Sequence, residues 1–375
     1  VQILGIDFGF GFTKATDGER SLVVTSVVGE AEQRYLENVV DLPLDEDHIH
    51  LELDDRIVFV GDLATRQSSL RSFTLDQDRF VAESVRVLGL GVGSLLAAPE
   101  EPLKVVTGLP ISTYREKREQ VANELSGRHA FAAIDPAGRR RRVVLEIAEV
   151  RVLPQPFGTV YDLLLNDVGE IGSRDLLQEK VGVIDVGFQT SDFTVADRIS
   201  FLERASGSTE SGIGRAFSVI AGKVREKSGV SVELYRLYDA MQQGRIKVRG
   251  STFDLGRLIE HVLTQLAADL ATEANRLWAD EWDMDAIVIT GGGGSVLAPY
   301  LAPLLRGRVL PVDPSRDARL NNVRGFLKYG RHLWARGAQA EANGRSAAPG
   351  DAAAASEAVA VASGEAGVRS GAVPY

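Results

Sequence analysis

Gly5-Ile6-Asp7-Phe8-Gly9-Phe10-Gly11-Phe12-Thr13-Lys14 carries an apolar strand, Val1 to Phe8, straight into a glycine-rich turn. Gly9 and Gly11 have no Cβ, so backbone amides there can approach an anion closely, as phosphate sites at strand ends require. Asp7 emerges at the end of the strand, where a carboxylate can order the water around Mg2+. The glycines alone would fit a plain hairpin equally well. The acid at the strand end favours the phosphate.

The same order returns in Ile184-Asp185-Val186-Gly187-Phe188-Gln189-Thr190-Ser191-Asp192, where Val181 to Val186 is a buried strand and Phe193 to Ala196 continues past the turn. Two such hairpins face to face could grip a polyphosphate, their carboxylates sharing a metal and the attacking water. One Asp-x-Gly followed by a hydroxyl arises by chance. A second at the equivalent place points to an ancient duplication. Further on, Ile289-Thr290-Gly291-Gly292-Gly293-Gly294 joins the strand Asp285 to Thr290 to a helix over Ser295 to Leu305. Bare backbone there can lie against a base and ribose, the alternative being a tight strand-to-helix turn.

Around these segments the pattern alternates strands and helices. Residues 21–100 combine short strands such as Arg56 to Val60 with helices such as Phe80 to Leu88, as in a peripheral subdomain. Leu103 to Gly108 is a strand closed by Leu109-Pro110, and Ser112 is placed to cap a helix from Thr113 to Leu125. A hairpin of Phe131 to Ile134 and Arg142 to Ile147 follows, then a separate strand Arg151 to Pro154 and a helix beginning over Thr159 to Asn166. Residues 215–229 and 255–279 have helical periodicity, the latter with Leu255, Leu258, Ile259, Val262, Leu263, Leu266 and Leu270 on one stripe. Val232 to Met241 is a shorter helix closed by Gly244, and Asn321 to Trp334 a closing one. From Ala338 the composition falls to Ala, Gly, Ser, Glu and Val, and a disordered tail is expected over 338–375.

At 375 residues the chain exceeds one ordinary domain of about 100–200 residues, so two are expected. Its 44% hydrophobic and 25% charged residues are those of a globular chain. A net charge of −10 argues against direct binding of nucleic acid. The basic run Arg139 to Arg142 follows Asp135-Pro136-Ala137-Gly138 and reads as a solvated turn, with a partner or DNA contact as the alternative. Without cysteine there is no disulfide or thiol nucleophile, and five scattered histidines form no zinc motif. No apolar stretch reaches the ~18 residues of a membrane span and no leader pattern is seen, so a cytoplasmic location is expected.

In this order the three glycine segments resemble the phosphate 1, phosphate 2 and adenosine motifs of the actin, heat-shock chaperone and sugar kinase superfamily. Within it the chain is most similar to the ParM/StbA and archaeal actin-like branch, through residues 5–15, Thr107-Gly108-Leu109-Pro110 and Asp185 to Asp192. The resemblance implies an α/β, actin-like (ribonuclease H-like) fold of two domains with an ATP cleft between duplicated halves. Domain I would span residues 1–155, with 31–100 peripheral, and be completed by 320–337; domain II would span 156–319, with about 226–284 peripheral.

Residue roles follow from the resemblance. Asp7 would bind hydrated Mg2+, with Gly9, Gly11, Phe12, Thr13 and Lys14 around the β- and γ-phosphates. Asp185 would face Asp7 and help hold the metal and orient water, while Gly187, Phe188, Gln189 and Thr190 form the opposite hairpin. The family often has small residues where this chain has Phe188 and Gln189. Gln155, in Leu153-Pro154-Gln155-Pro156-Phe157, matches the residue that positions the attacking water; the alternative is a polar loop residue between prolines. Gly212, Gly214, Lys223 and Glu226 resemble the segment lining adenine, although such a charge pair on a helix is usually just solvated. Gly291, Gly292, Gly293 and Gly294 would receive the base and ribose, and Asn322 and Gly325 resemble the second crossover of the hinge.

One fold serves several functions in this superfamily. A sugar or acetate kinase needs an acid/base for its substrate, and no motif supplies one. A chaperone needs a β-rich substrate domain after the ATPase. The expectation is a slow, assembly-coupled ATP hydrolase, with GTP as the alternative nucleotide, that polymerises into filaments for plasmid or other cargo segregation. A DNA-binding or other cargo adaptor would be its partner. A small-molecule kinase and a non-polymerising scaffold are the alternatives.

Overall fold

The computed structural model describes residues 1–31, 46–73, 76–98, 101–311, 313 and 315–342. The first half contributes strands β1 (Gln2–Phe8), β2 (Phe12–Thr16), β3 (Ser21–Thr25), β4 (Val28–Glu30), β5 (Ile49–Leu53), β6 (Arg56–Val60), β7 (Arg71–Ser72), β8 (Leu103–Leu109), β9 (Gly127–Ile134) and β10 (Arg140–Pro154). They form one ten-stranded sheet in the order β3-β2-β1-β8-β10-β9-β5-β6-β4-β7. Helices α1 (Asp62–Gln67), α2 (Gln77–Phe80), α3 (Arg86–Leu96) and α4 (Ile111–Leu125) accompany it. β1 and β8 are parallel neighbours in its middle, and their near-continuous apolar sequence suits strands covered on both faces.

The second half repeats the central part of this plan. Its sheet has the order β13 (Ser200–Phe201), β12 (Ser191–Asp197), β11 (Lys180–Val186), β17 (Ala286–Thr290), with β14 (Gly207–Thr209) also paired to β12. In each half a central strand forms an antiparallel hairpin on one side, β1 with β2 and β11 with β12, and a parallel pair on the other. Asp7 lies opposite Lys14 in the first hairpin, and Asp185 opposite Asp192 in the second. α6 (Gly214–Ser228), α7 (Tyr238–Gln243), α8 (Gly256–Leu277) and α9 (Gly292–Leu301) complete this half, with β15 (Arg245–Val248) and β16 (Ser251–Asp254) as a two-stranded sheet of their own.

Two helices pass between the halves. α5 (Phe157–Leu164) leaves the end of β10, and α10 (Asn321–Ala342) returns from the second half to pack on α5, β1 and β8. Their backbones meet where both lack side chains: a Cβ on Gly325 would overlap the carbonyl of Gly158, and one on Gly158 would stand 2.6 Å from Asn322 Cα. A buried carboxylate on α5 locks the crossing. Asp162 takes Arg316 at 3.1 Å, Arg324 at 3.3 Å and Lys328 at 2.9 Å, so its charge is fully compensated where water is excluded.

Several local expectations change. The two strands expected at 142–147 and 151–154 are one, β10, whose register slips between Ile147 and Glu149, so Ala148 is a bulge that bends the strand. Ser112 does not cap α4: the helix starts at Ile111 with no side-chain cap of its own. Its first amides are taken instead by the other half, Ile111 N–H by Asp192 at 3.2 Å and Ser112 N–H by the Ser208 hydroxyl at 3.3 Å. The helix expected over Phe80 to Leu88 runs from Gln77 to Leu96 through a π turn at Val81–Val85. The one expected over Val232 to Met241 is a 3-10 turn, Leu234–Leu237, leading into α7. In α8 the apolar stripe is buried as its periodicity requires, with Leu258 at the edge. The last helix continues to Ala342, past the expected start of the tail at 338, and residues 343–375 lie outside the described residues.

The α5–α10 crossing leaves no room for a methyl group. Gly325→Ala should therefore cost about 3 kcal/mol or more of stability, read from a denaturant midpoint, since only separating the two helices could relieve the overlap. A change under about 0.5 kcal/mol would mean the crossing is slack.

Candidate functional site

The ends of β1 and β11 meet in one crevice between the halves. Asp7 is almost fully buried, and its two oxygens are held separately, by Lys14 Nζ at 3.0 Å and by Gln155 Nε2 at 2.9 Å. Lys14 arrives there because it is the cross-strand partner of Asp7, on the same face of the hairpin. Gln155 arrives because β10 ends beside β8, where its N–H donates to the Leu109 carbonyl at 2.8 Å. The turn between is tight: Gly9 N–H reaches the carbonyls of Asp7 and Phe12 at 3.2 and 3.1 Å. Ser26 ties it down, donating to the Gly9 carbonyl at 2.6 Å and meeting the Thr13 hydroxyl at 2.9 Å. The Thr13 side chain is thus turned into the structure, and only its backbone faces the turn.

Asp185 is equally buried and accepts from Asn322 Nδ2 at 2.6 Å. Burial raises its pKa to about 7; the charges of Asp192 and Asp7 add to the rise, while Asn322 and the Lys14 ammonium oppose it. The two strand-end aspartates therefore feel each other across the crevice. Asp192 is raised to about 6, again chiefly by burial, against hydrogen bonds from Ser208, Ile111 N–H and Thr190.

The second hairpin is strapped from outside. Gly212 N–H donates to the Gln189 carbonyl at 2.7 Å, Ile213 N–H to Gly187 at 3.0 Å and Gly214 N–H to Phe188 at 2.7 Å. Glycine is needed there, because a Cβ at 212 would collide with the Phe188 carbonyl. The Phe188 side chain is buried against Phe73 and Phe217. Gln189 Oε1 is buried and, among the described residues, has no partner.

The third glycine segment closes on the same carboxylate. Gly291, at φ 86°, turns β17 into α9 so closely over Asp185 that a Cβ would strike its carboxyl oxygen. Gly293 packs on Val186 and Ile213, and Gly292 lies near Arg319. Thr290 Oγ1 meets Thr159 Oγ1 at 3.0 Å and accepts from Asn321 at 3.0 Å, while Thr159 donates to Asn322 Oδ1 at 2.8 Å.

Asp7, Lys14, Gln155, Asp185, both hairpins, Gly212 to Gly214 and the Gly291 to Gly294 turn are thus gathered in one place. Lys223 and Glu226 stand apart from these contacts, paired at 2.6 Å on the exposed face of α6. Ser26, Thr159 and Thr290 had no assigned role in the sequence reading, and Asp192 none as a buried acid. Only the Asp-x-Gly spacing ending in Asp192 could have pointed to any of them.

Among the described residues no group of three or more His, Asp or Glu could hold a metal unaided. Two carboxylates from opposite sides suit an ion that keeps most of its water and shares oxygens with phosphate, as Mg2+ does. The glycines of the hairpins and the unpartnered Gln189 oxygen suit a polar ligand of phosphate and ribose type.

Two α/β halves that each bring a strand-end aspartate and a glycine hairpin to one crevice, crossed by two helices, define the actin-like fold. The family model for the N-terminal domain of actin-like proteins matches residues 5–158, and that for the C-terminal domain of the archaeal MreB-like actin homologue matches residues 183–302. The chain belongs to the actin-like proteins, on the branch of ParM and the archaeal actin homologues. Among solved structures, it is similar to a ParM filament subunit from Clostridium botulinum, with 22% identity, TM-score 0.73, and coverage of 88% of this chain and 99% of that one. A non-polymerisable ParM quadruple mutant gives 24% identity, TM-score 0.71 and the same coverage. The archaeal actin homologue Ta0583, in its complex with ADP, gives 17% identity and TM-score 0.69 over 90% of this chain and all of that one. No curated protein sequence matches the chain significantly.

The raised pKa of Asp185 has a definite sign. Folding favours its protonated form, so its contribution to stability is whole below the ordinary value of 3.8 and is lost as pH rises through about 7. Asp185→Asn keeps an oxygen for Asn322 and cannot ionise. Without nucleotide, the variant should gain on the wild type as pH rises from the ordinary value of 3.8 to about 7, by on the order of 1–3 kcal/mol in urea unfolding, and the gain should level off above that. An offset independent of pH would show that Asp185 is ionised throughout.

Proposed function

We propose that this chain is an actin-like ATPase whose nucleotide state controls its assembly into filaments. The observation that carries the reading is the shared burial of Asp7 and Asp185 at the ends of two equivalent strands, each running into a hairpin that opens on a glycine, Gly9 and Gly187. ATP would lie with its phosphates between Gly9 to Lys14 and Gly187 to Thr190, and its nucleoside toward Gly291 to Gly294 and α6. Bound Mg2+ supplies positive charge to the phosphate oxygens, and Asp7 and Asp185 are the groups that would hold it through water. Residues 1–155 with 320–337 would form one domain and 156–319 the other, so that ligand drawn to both hairpins closes the cleft between them.

The residues suggest a slow reaction. Lys14 offsets phosphate charge. The Gln155 amide can direct a water but cannot remove its proton, so acceleration comes from position. Asp185, at the end of the opposite strand, is suited to accept a hydrogen bond from that water. Polymerisation is supported by similarity to a chain solved as a ParM filament. A segregation role, with a DNA-binding or other cargo adaptor in the cytoplasm, rests on the same branch. Among the described residues, no helix is long and apolar enough to cross a membrane.

Light scattering with and without Mg-ATP, followed by electron microscopy, tests the reading. Scattering should rise with Mg-ATP, and filaments should be seen; a monomer under all nucleotides would leave a scaffold. Asp185→Ala should still bind ATP, release phosphate at least about tenfold more slowly and leave filaments that persist. Normal phosphate release from that variant would remove Asp185 from the mechanism.

A further inference from the structure

Tyr238 opens α7, in the second half, yet its ring touches both hairpins. Phe12 of the first hairpin lies 4.5 Å away between centroids, Phe188 of the second 5.9 Å, and Phe217 of α6 5.1 Å. The hydroxyl end rests on Gly11, where a Cβ would collide with it. Glycine at 11 therefore leaves room for this phenol. Tyr238 is a surface-layer residue by its place in the chain, and nothing in the glycine motifs announces it.

A phenol among three other rings is an apolar body with one polar atom, and that atom normally seeks a partner. Among the described residues the Tyr238 hydroxyl is paired with no acceptor. Burial raises its pKa, and the charge of Arg319 opposes the rise, so the group stays a neutral donor. The strand of chain leading to it is anchored across the cleft mouth: Glu233 pairs with Arg71 of β7 at 3.2 Å, and the Tyr235 ring meets Phe73 at 5.8 Å. The hydroxyl is thus held in place over Gly11. An O–H donor in low-dielectric surroundings is matched by an anionic oxygen, where the bond is charge-assisted and short. The Arg319 guanidinium lies 5.9 Å from the Phe12 ring and is paired with Asp317 at 2.7 Å.

We propose that Tyr238 is a ligand of the nucleotide's phosphate chain, its hydroxyl donating to a phosphate oxygen seated over Gly11. The assignment rests on the nucleotide reading above and adds to it a contact from the outer part of the second half. Through that contact α7, already packed on Phe12 of the first hairpin, would be tied to the nucleotide as well.

Full-length wild type, Tyr238→Phe and Tyr238→Ala are compared by equilibrium titration with fluorescent ATP and ADP in Mg2+, and by thermal unfolding without nucleotide. Tyr238→Phe keeps the ring, so its unliganded melting temperature should stay at the wild-type value while its affinity for ATP falls about tenfold. Tyr238→Ala should lose both affinity and stability. If the Phe variant binds within about twofold of wild type, the ring only packs and the proposal fails. Tighter binding by the Phe variant would mean the hydroxyl obstructs, and fails it equally. Wild type that binds neither nucleotide overturns the ATPase reading itself, whereas binding by wild type with an unchanged Phe variant sinks this assignment alone.

Discussion

One side-chain amide holds the cleft together. Asn322, at the start of α10, donates to Asp185 of the second half, and its carbonyl oxygen takes both the backbone N–H and the hydroxyl of Thr159 on α5. Thr159 in turn meets Thr290, at the mouth of the glycine turn. The carboxylate, both crossover helices and the third glycine segment are thus referred to the same few atoms. Because all are buried, removing any partner would leave a polar group without water or protein, which costs more than the bond itself contributes. The bare contact of Gly158 with Gly325 is what lets the amide reach both sides.

Around this point the electrostatics are unbalanced. Asp7, Asp185 and Asp192 are all buried, and Lys14 is the ammonium that pairs directly with one of them. Burial is what raises the two acids of the second half, the charges of Asp192 and Asp7 adding to the rise at Asp185. Such a place is costly for an empty protein and suited to a cation that arrives with a ligand. The crossing below it is arranged oppositely, with three cations around Asp162. One acid is satisfied within the chain and serves the frame. The others are left for something else to satisfy.

How much of this was legible depends on the distance over which each residue acts. The hairpins, their aspartates and the glycine turn are local patterns of strand, acid and glycine, and the sequence could be read for them directly. The apolar stripe of α8 was legible for the same reason. Ser112 failed as a cap because the helix already begins at Ile111, with the free amides of Ile111 and Ser112 taken by Asp192 and Ser208, about eighty to ninety-five residues away, which no local rule anticipates. β10 was split in two because Ala148 shifts the alternation by one residue, and a bulge is indistinguishable from a break until the neighbouring strand is known. Lys223 and Glu226 show the reverse case: a charged pair with a helical spacing that the structure leaves paired in solvent.

The course of β10 makes the two halves mechanically unlike. Through that single strand the outer and inner parts of the first half belong to one continuous hydrogen-bonded sheet, so their relative rotation must be spread as twist, with Ala148 as its softest point. In the second half the outer hairpin β15–β16 shares no strand with the main sheet and leans on helices instead. The first half therefore behaves as a stiff jaw and the second as a jaw with a jointed tip, and a load applied at the cleft would be expressed mainly on one side of the molecule.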